Sequence, residues 1–400
     1  MDRAVRRQAI LGLLSAELVL ISYWLIWGSV DGFVRAIDHD EQLFSDFRLF
    51  YYPMGKVLLE EMWPVGGYYY TSFFALGLSV VALWPMEVAV YLWGILQVGL
   101  VGVFFAVSGR WLLGLEGRGM MGYLLLLLSS FPLLHNFKWG QVSVLMALGV
   151  VLAFALPRRS RSAWGGVVLA LVTCIKYYPG VFAVDFLLRR DWRAVAGFAA
   201  GLLGFYVVVP LVFLGPSGWW YFERASMQSL PGAALLLDDF NTQYFPHVIK
   251  RLGVPLGYGV SAPMLGVLRL VGIAVFVANC FLVWWLYRRD IAHKAALAAA
   301  ALLLTLPFIV QTSWPHYFVY LPFCQAALWL GVRGVDIMAW KRRLLSGLIV
   351  FSTLITSAYF FALFPSWRIY NGMGLLWLSD AVLLAVFYGW VLVQRKSDSP

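Results

Sequence analysis

Asp46 stands out among the carboxylates of this sequence because apolar residues surround it. Phe44 and Phe47 flank it, and it opens a stretch that we predict to be an amphipathic helix from Phe47 to Leu59 lying on a membrane surface. A carboxylate held at such an apolar boundary can act as a general base. Ser45 and Asp46 are also residue types that cap helices, so the same side chain can instead cap this helix. The sequence alone leaves both roles open.

Lys176 is the second candidate, because it lies in an apolar segment. An ammonium group there must pair with an anion or reach water. A phosphate at the outer membrane face would satisfy it, and so would an internal acid such as Glu17 or Asp380. Pro179 removes a helix hydrogen bond just after the lysine. We therefore predict two short half-helices between Gly165 and Leu188 that meet near Lys176.

Polar residues interrupt apolar runs at three further places. In the first, residues 135–141, Gly140 provides a flexible joint and an amide follows at a helix start. This cluster either clasps a lipid headgroup or forms a plain polar turn. His316 ends a helical run, where an imidazole donates to a phosphate, transfers protons or serves only the structure. The amides of Asn241 and Gln243 can hydrogen-bond to sugar hydroxyls.

The sequence contains no pattern that predicts a metal or a nucleotide cofactor. Asp238 and Asp239 form an adjacent acidic pair, but two neighbouring carboxylates seldom hold a divalent ion. The sequence has neither a Walker loop nor a dinucleotide-binding glycine loop, so neither ATP nor NAD is expected. We expect no cofactor and assign no metal ligands, and the sequence leaves metal dependence open.

The helices that must position these residues belong in lipid. Of the 400 residues, 62% are hydrophobic and 12% are charged, and the mean hydropathy is +0.79. A membrane-spanning helix needs roughly 20 apolar residues, and such runs recur from one end of the chain to the other. We therefore predict one all-α polytopic membrane domain over residues 1–400, with about 12 helical segments.

The basic residues predict which loops face the cytoplasm. The net charge is +10, and arginine and lysine cluster in short loops between apolar runs. This pattern fits cytoplasmic loops rather than a nucleic-acid surface. The long loops, from about Gly28 to Tyr68 and from about Gly215 to Gly259, then face outward. We expect a bacterial inner (plasma) membrane protein, in contact with membrane lipid, whose chemistry takes place at the outer face.

Five short motifs follow one another along the chain. They are Asp46-Phe47-Arg48 with Tyr51-Tyr52, Asn136 to Gln141, Lys176-Tyr177-Tyr178-Pro179, Asn241-Thr242-Gln243 and Ser313-Trp314-Pro315-His316. In this order they resemble the polyprenyl-phosphate-sugar-dependent glycosyltransferases of family 87. That family has the GT-C fold and includes polyprenol-phosphate-mannose-dependent mannosyltransferases. The resemblance spans nearly the whole chain.

The resemblance implies a cavity, open to the outer face, in which a polyprenyl-phosphate-sugar donor meets a hydroxyl of a lipid or glycan acceptor. GT-C enzymes use an acidic residue of the first outer loop as base, and this role falls on Asp46. It would take the acceptor proton as the oxygen attacks the anomeric carbon with inversion. Lys176, His316 and Arg48 match the positions expected to bind the donor phosphate.

The remaining substrate-binding candidates of the resemblance are side chains within the same motifs. They are Gln141, Asn136, Tyr51, Asn241, Gln243 and Trp314. Two departures from the family pattern leave the donor sugar open, although mannose is the family default. Tyr69-Tyr70-Thr71 replaces the usual Tyr-Pro-Pro, and His316-Tyr317 replaces a frequent His-His.

Two other functions compete with an enzyme. A transporter or flippase of a polyprenyl-linked substrate would hold its polar residues near the membrane midplane and usually shows paired halves, which this sequence lacks. A noncatalytic scaffold would scatter the polar residues. The enzyme hypothesis predicts that Asp46, Lys176 and His316 converge on one outward cavity.

Overall fold

The computed structural model describes residues 3–37, 42–60, 66, 68–235, 241–254 and 259–397. These residues form helices and connecting turns, and no β-strand occurs among them. The all-α prediction is therefore confirmed for this part of the chain. The acidic pair Asp238-Asp239 lies outside the described residues.

Helices make up most of the described part of the chain. In order they are α1 (Arg3–Trp27), α2 (Val30–Ile37), α3 (Tyr52–Leu59), α4 (Ser72–Val81), α5 (Met86–Ala106), α6 (Gly117–Leu128), α7 (Phe131–Trp139), α8 (Ser143–Ala155), α9 (Ser162–Thr173), α10 (Val184–Leu188), α11 (Trp192–Leu202), α12 (Val209–Leu235), α13 (Phe245–Gly253), α14 (Ala262–Tyr287), α15 (Lys294–Leu303), α16 (Leu306–Ile309), α17 (Leu321–Arg333), α18 (Ala339–Ile355), α19 (Ala358–Phe361), α20 (Trp367–Gly372) and α21 (Leu375–Ser397). Short π-helical turns occupy Phe47–Tyr51, Val107–Leu112 and Leu203–Val208, and 3-10 turns occupy Pro157–Arg159, Tyr178–Ala183 and Pro315–Tyr320.

Four helical stretches in the described part of the chain are long and apolar enough to cross a membrane. They are Met86–Leu112, Trp192–Gln228, Ala262–Tyr287 and Leu375–Gln394. A bent pair, Leu14–Trp27 with Val30–Ile37, adds a fifth if it counts as one span. These helices and several shorter apolar ones identify a membrane protein. The count of about 12 helical segments stays a prediction.

The surface of α14 shows why lipid must be the solvent of this protein. Large apolar side chains along it are exposed, including Val267, Leu270, Val277 and Phe281. Such a continuous apolar surface is unstable in water but matches the hydrocarbon core of a bilayer.

Contacts between Cα atoms divide the chain into two compact units. Unit 1 comprises Met1–Gln42, Phe105–His135 and Phe240–Pro400, and unit 2 comprises Leu43–Phe104 and Asn136–Asp239. The single domain inferred from the sequence stays a prediction.

The core of unit 1 contains an alanine-rich helix that is buried on every face. All residues of α15 from Ala295 to Leu303 are buried, and α15 packs against α14 and α17. A helix that is apolar all round can be enclosed by its neighbours in this way. Polar groups in this unit pair with one another: the Gln325 amide donates to the hydroxyls of Ser352 (3.0 Å) and Thr356 (3.2 Å).

In unit 2, glycines bring two helices into backbone contact. A Cβ atom at Gly166 of α9 would lie 2.0 Å from the carbonyl oxygen of Ala194 in α11, and one at Gly197 would lie 2.1 Å from that of Ala163. Small residues permit this approach, which gains van der Waals contact where no hydrophobic effect acts between helices. The packing fixes α9, whose end leads directly to Lys176.

The segment around Lys176 forms the two half-helices that the sequence predicts. The helix α9 ends at Thr173, and a 3-10 turn begins at Tyr178 and continues into α10. Pro179 is the second residue of that turn, where its missing N–H costs nothing. Lys176 lies in the short connection between the two segments, outside both.

The helix α12 changes direction at Gly215. This residue has φ +69° and ψ 168°, which is not helical, and Pro216 follows it. Glycine adopts a positive φ without a steric penalty, and a proline disfavours helix in the residue before it. Residues 216–235 therefore form a separate helical segment, and they contribute Glu223 to the site described below.

Candidate active site

Asp46 lies in the first turn of a helical segment but does not cap it. Its backbone is helical, at φ −67° and ψ −32°, and its side chain makes no capping hydrogen bond. Instead, Nε2 of Gln141 donates a hydrogen bond to Oδ2 of Asp46. The capping role considered from the sequence is therefore wrong, and the half-buried carboxylate is held by a residue far away along the chain.

The segment that carries Asp46 is held against the C-terminal end of α7. Phe44 has a left-handed backbone, with φ +61°, and its N–H donates to the Lys138 carbonyl (2.7 Å). The Nζ atom of Lys138 donates to the hydroxyl of Ser45 (3.2 Å). A left-handed conformation costs a bulky residue about 1–2 kcal/mol, so these contacts must hold it in place.

Gly140 makes this close docking possible. It has φ +67°, and a Cβ atom at this position would lie 3.0 Å from the Cβ of Phe44 and 3.1 Å from that of Phe47. The indole of Trp93 donates to the Gly140 carbonyl (2.9 Å). The sequence prediction of a joint at Gly140 before a helix is thus confirmed, and the joint makes room for the loop that bears Asp46.

Gln141 is the centre of a buried polar network in unit 2. Its Oε1 accepts hydrogen bonds from the hydroxyls of Tyr51 (2.9 Å) and Tyr70 (3.0 Å). Two hydroxyl donors on one side and a carboxylate acceptor on the other fix which end of the amide is oxygen and which is nitrogen. The amide therefore presents its N–H to Asp46.

Lys176 lies at the other end of the network. Its Nζ donates to the Tyr70 hydroxyl (3.4 Å) and lies 5.0 Å from the centre of that ring. Burial lowers the pKa of Lys176 from 10.5 to about 7, although the negative charge of Asp46 opposes this shift. Asp46, Gln141, Tyr70 and Lys176 thus form one continuous polar chain.

The acids considered as alternative partners of Lys176 belong to unit 1. One of them, Asp380, accepts hydrogen bonds from the Tyr320 hydroxyl at both carboxylate oxygens (3.3 and 3.1 Å). The negative charge of Asp46 acts on Lys176. Lys176 therefore has an acid of its own unit in its surroundings.

Two predicted site residues support this network from its sides. Nε of Arg48 donates to the Leu43 carbonyl (3.0 Å) and closes the loop before Asp46. Asn136 is fully buried; its amide donates to Gln97 (3.0 Å) and its side-chain oxygen accepts from the N–H of Ser143 (3.2 Å). Asn136 therefore shapes the turn that presents Gln141.

In unit 1, His316 lies in a cluster of aromatic rings. The ring of His135 stacks on it at 5.7 Å between centroids and 24° between planes. Trp314 and Tyr317 lie 5.8 and 5.0 Å from His316. Both imidazoles are buried. His135 was considered as part of the cluster 135–141, which either clasps a lipid headgroup or forms a polar turn, and its pairing with His316 is visible only in the structure.

Two more sequence motifs meet in unit 1. The N–H of Gln243 donates to the carbonyl of Ser313 (2.7 Å), next to Trp314. Its side chain donates to the carbonyl of Asn371 (2.9 Å), and the Asn371 amide donates to Oδ1 of Asn241 (3.1 Å). Gln243 is fully buried, so its amide joins two segments of the chain.

Sequence reasoning did not select two residues of unit 2 that belong to these contacts, Tyr70 and Thr71, although it marked them as departures from the family pattern. Tyr70 links Gln141 to Lys176. The Thr71 hydroxyl donates to the carbonyl of Cys174 and accepts from Phe74 at the start of α4. The departure from the family pattern was the signal that could have identified them. Tyr70 and Thr71 stand where the pattern has prolines, and a proline side chain cannot make the hydrogen bonds that these two hydroxyls make.

Comparison with known proteins decides the family. The profile of glycosyltransferase family 87 matches residues 68–313, which is more than half of the chain. The chain belongs to glycosyltransferase family 87. This family 87 enzyme is therefore a hexosyltransferase of the membrane, and the transporter and scaffold hypotheses are set aside.

Its curated relatives come from mycobacteria. The family 87 enzyme is 26% identical to a polyprenol-phosphate-mannose-dependent alpha-(1-2)-phosphatidylinositol pentamannoside mannosyltransferase of Mycolicibacterium smegmatis, over 82% of this chain and 77% of that protein. It is 30% identical to a polyprenol-phosphate-mannose-dependent alpha-(1-2)-phosphatidylinositol mannoside mannosyltransferase of Mycobacterium tuberculosis, over 53% of this chain and 45% of that protein. No solved structure matches the chain.

Proposed function

We propose that this family 87 enzyme transfers mannose from a polyprenyl-phosphate donor to a hydroxyl of a lipid or glycan acceptor. The transfer takes place at the outer face of a bacterial plasma membrane and inverts the anomeric carbon. The names of the curated relatives support the donor and a glycolipid acceptor. The observation that carries the proposal is the polar chain from Asp46 through Gln141 and Tyr70 to Lys176, which joins a carboxylate to an ammonium.

Asp46 is the general base of this proposal. Its carboxylate is half-buried, whereas Gln141 and Tyr70 behind it are buried. A base must be reachable by the acceptor and held in one orientation. The hydrogen bond from Gln141 supplies the orientation, and the incomplete burial supplies the access.

The reaction requires one proton transfer and one displacement. Asp46 takes the proton of the acceptor hydroxyl as its oxygen forms a bond to the anomeric carbon. The bond from that carbon to the phosphate oxygen breaks on the opposite face, and the polyprenyl phosphate leaves with the electron pair. A positioned cation stabilises the charge that develops on the phosphate, which we assign to Lys176. The step requires neither a nucleotide nor a redox cofactor.

The other candidate residues hold the base, contact the sugar, bind the donor phosphate or support the segment that carries Trp314. Tyr51 and Gln141 are buried and bonded to each other (2.9 Å), so we assign them to holding the base. In unit 1, Trp314 is half-buried, and an aromatic face suits the apolar face of a sugar ring. We assign His316 to binding of the donor phosphate. The amides of Asn241 and Gln243 are assigned to holding the segment that carries Trp314.

A donor panel tests this function directly. Purified enzyme in proteoliposomes is supplied with polyprenyl-phosphate mannose, glucose or arabinose and with phosphatidylinositol mannosides, and the products are followed by mass spectrometry. We expect transfer from the mannose donor, with loss of about 10²–10³-fold in kcat/KM for Lys176→Met. Transfer from no donor, with every acceptor offered, would refute the proposal. Transfer from another sugar alone would refute the assignment of mannose.

A further inference from the structure

Glu223 is a buried acid of unit 2 that the mechanism above does not use. It is 5% exposed. One carboxylate oxygen accepts from the N–H of Ser72 (2.9 Å) and from its hydroxyl. The other oxygen accepts from the hydroxyls of Tyr206 (3.0 Å) and Tyr177 (3.3 Å). Four donors thus converge on one carboxylate.

The backbone N–H of Ser72 must meet an acceptor, whereas the three hydroxyls can donate to any acceptor placed beside them. An ionised carboxylate offers only lone pairs, and it is the one side chain of this size that can accept four hydrogen bonds at once. Hydrogen bonds to a charged acceptor are roughly twice as strong as neutral ones. A glutamine at this position keeps one acceptor oxygen but has no negative charge, and its NH2 group requires the neighbouring hydroxyls to accept instead of donate, so shape alone cannot replace the charge.

The partners of Glu223 lie directly beside two residues of the proposed site. Ser72 follows Tyr70 by two positions, and Tyr177 follows Lys176 by one. One helical turn beyond Glu223, the hydroxyl of Ser226 donates to the carbonyl of Tyr70 (2.9 Å). Residues three apart share a helix face. One face of the segment 216–235 therefore contacts both the turn that contains Tyr70 and the turn that contains Lys176.

A third contact joins the two turns to each other. The hydroxyl of Thr71 donates to the carbonyl of Cys174. With it, the Tyr70 turn and the Lys176 turn are connected both directly and through Glu223. The Nζ of Lys176 and the hydroxyl of Tyr70 lie 3.4 Å apart, near the limit of a hydrogen bond, so a small relative shift of the turns would break this link.

We propose that Glu223 is a positioning residue of the donor phosphate site, which fixes Lys176 against Tyr70 by holding the turns that carry them. The inference rests on the proposed function, in which Lys176 binds the phosphate of the donor. Glu223 acts only through these neighbours, and its loss affects the donor more than the acceptor.

A double-mutant cycle distinguishes positioning from general structural support. Glu223→Gln and Lys176→Met are made singly and together, and equilibrium binding of polyprenyl phosphate and kcat/KM for polyprenyl-phosphate mannose are measured. We expect Glu223→Gln alone to weaken donor binding by about 10-fold, because the charge-assisted hydrogen bonds that hold Lys176 against Tyr70 through their neighbours are lost. In the Lys176→Met background the same change should have an effect below about 2-fold, since coupled residues are not additive.

Three further variants provide a control, a conservative replacement and an alternative to Glu223→Gln. Arg224→Gln removes the exposed neighbouring charge and should leave binding and transfer unchanged. Glu223→Asp keeps the charge and should restore part of the affinity. If Glu223→Gln does not fold, Tyr177→Phe removes one hydroxyl only and should weaken donor binding by about 3-fold, again only when Lys176 is present.

The outcomes separate the two proposals. Equal effects of Glu223→Gln with and without Lys176 would overturn the positioning role, even if native enzyme transfers mannose normally. Native enzyme that binds polyprenyl phosphate without transferring a sugar would refute the proposed function, and the binding cycle would still decide the role of Glu223. Absence of both transfer and binding in the native enzyme would overturn both.

Discussion

The side-chain nitrogen of Gln141 donates a hydrogen bond to Oδ2 of Asp46. The oxygen of the same amide accepts from two tyrosine hydroxyls, so a single neutral side chain connects the carboxylate to the buried interior of unit 2. Because an amide has one donor end and one acceptor end, this arrangement sets the orientation of the base without adding charge.

Removal of the Gln141 amide should uncouple Asp46 from the network. We expect Gln141→Leu to lower kcat by about 10–100-fold, because the base loses its fixed orientation. The free energy of unfolding should fall by about 1–3 kcal/mol, because buried hydroxyls lose their acceptor. Transfer kinetics and thermal unfolding in detergent measure the two effects. Gln228→Leu, at an exposed position, is the control, and an equal loss of activity in both variants would contradict the account.

The hydroxyl of Tyr70 should raise kcat/KM for the donor, whereas the hydroxyl of Tyr69 should not affect it. Tyr70→Phe removes the group between Gln141 and Lys176, and we expect kcat/KM for the donor to fall by about 3–10-fold. Tyr69→Phe removes a hydroxyl from a half-buried residue outside the network and should have no effect. Identical kinetics of Tyr70→Phe and native enzyme would show that the link to Lys176 is dispensable.

Donor binding should weaken at alkaline pH. The pKa of Lys176 is about 7 in the free protein, so its amine is charged below this pH and becomes neutral above it. A donor phosphodiester stays anionic throughout and binds the charged form. Affinity should therefore be constant below pH 7 and fall above it, by as much as about tenfold per pH unit until the pKa of the complex is reached.

Lys176→Arg is the matching control for this pH profile, because a guanidinium stays charged in proteins. Its donor affinity should be lower at pH 6, since the geometry changes, but should not fall between pH 7 and pH 9. Titration of polyprenyl-phosphate mannose into native and variant enzyme at several pH values measures both curves. A decline of equal slope in the two proteins would assign the titration to another group.

The contact between α9 and α11 should tolerate no added atoms. Gly197→Ala places a methyl group where a carbonyl oxygen would lie 2.1 Å away, so we expect the helices to separate and stability to fall by about 1–3 kcal/mol. Gly204→Ala, which meets nothing within 4 Å, is the control in the same continuous helical stretch. Thermal unfolding of the purified proteins decides, and unchanged stability of Gly197→Ala would contradict the close packing.

Part of this site could be predicted from single residues and their immediate neighbours in the sequence. Pro179 marks the break beside Lys176, and Gly140 marks the joint before Gln141, because proline and glycine act on their own backbone. The apolar runs likewise identify helices in lipid. For these features the sequence neighbourhood of each residue contains the whole physical cause.

Partners that are distant in the chain could not be predicted in this way. Asp46 and Gln141 are 95 positions apart, and Glu223 lies 151 positions from Ser72. Their meeting depends on packing, such as the contact of Gly166 with α11, and apolar periodicity does not encode which polar groups will face each other. For the same reason the buried contacts of Gln243 with Ser313 and Asn371 could not be predicted from the sequence.

The most direct test of the central claim is single-turnover transfer by Asp46→Asn, compared with native enzyme at equal donor occupancy. This change keeps the shape of the side chain but removes its ability to accept a proton. The account predicts that transfer of mannose falls by at least about 10²-fold, while binding of polyprenyl-phosphate mannose changes by less than about 3-fold. Transfer at the native rate by Asp46→Asn would contradict the role of Asp46 as general base.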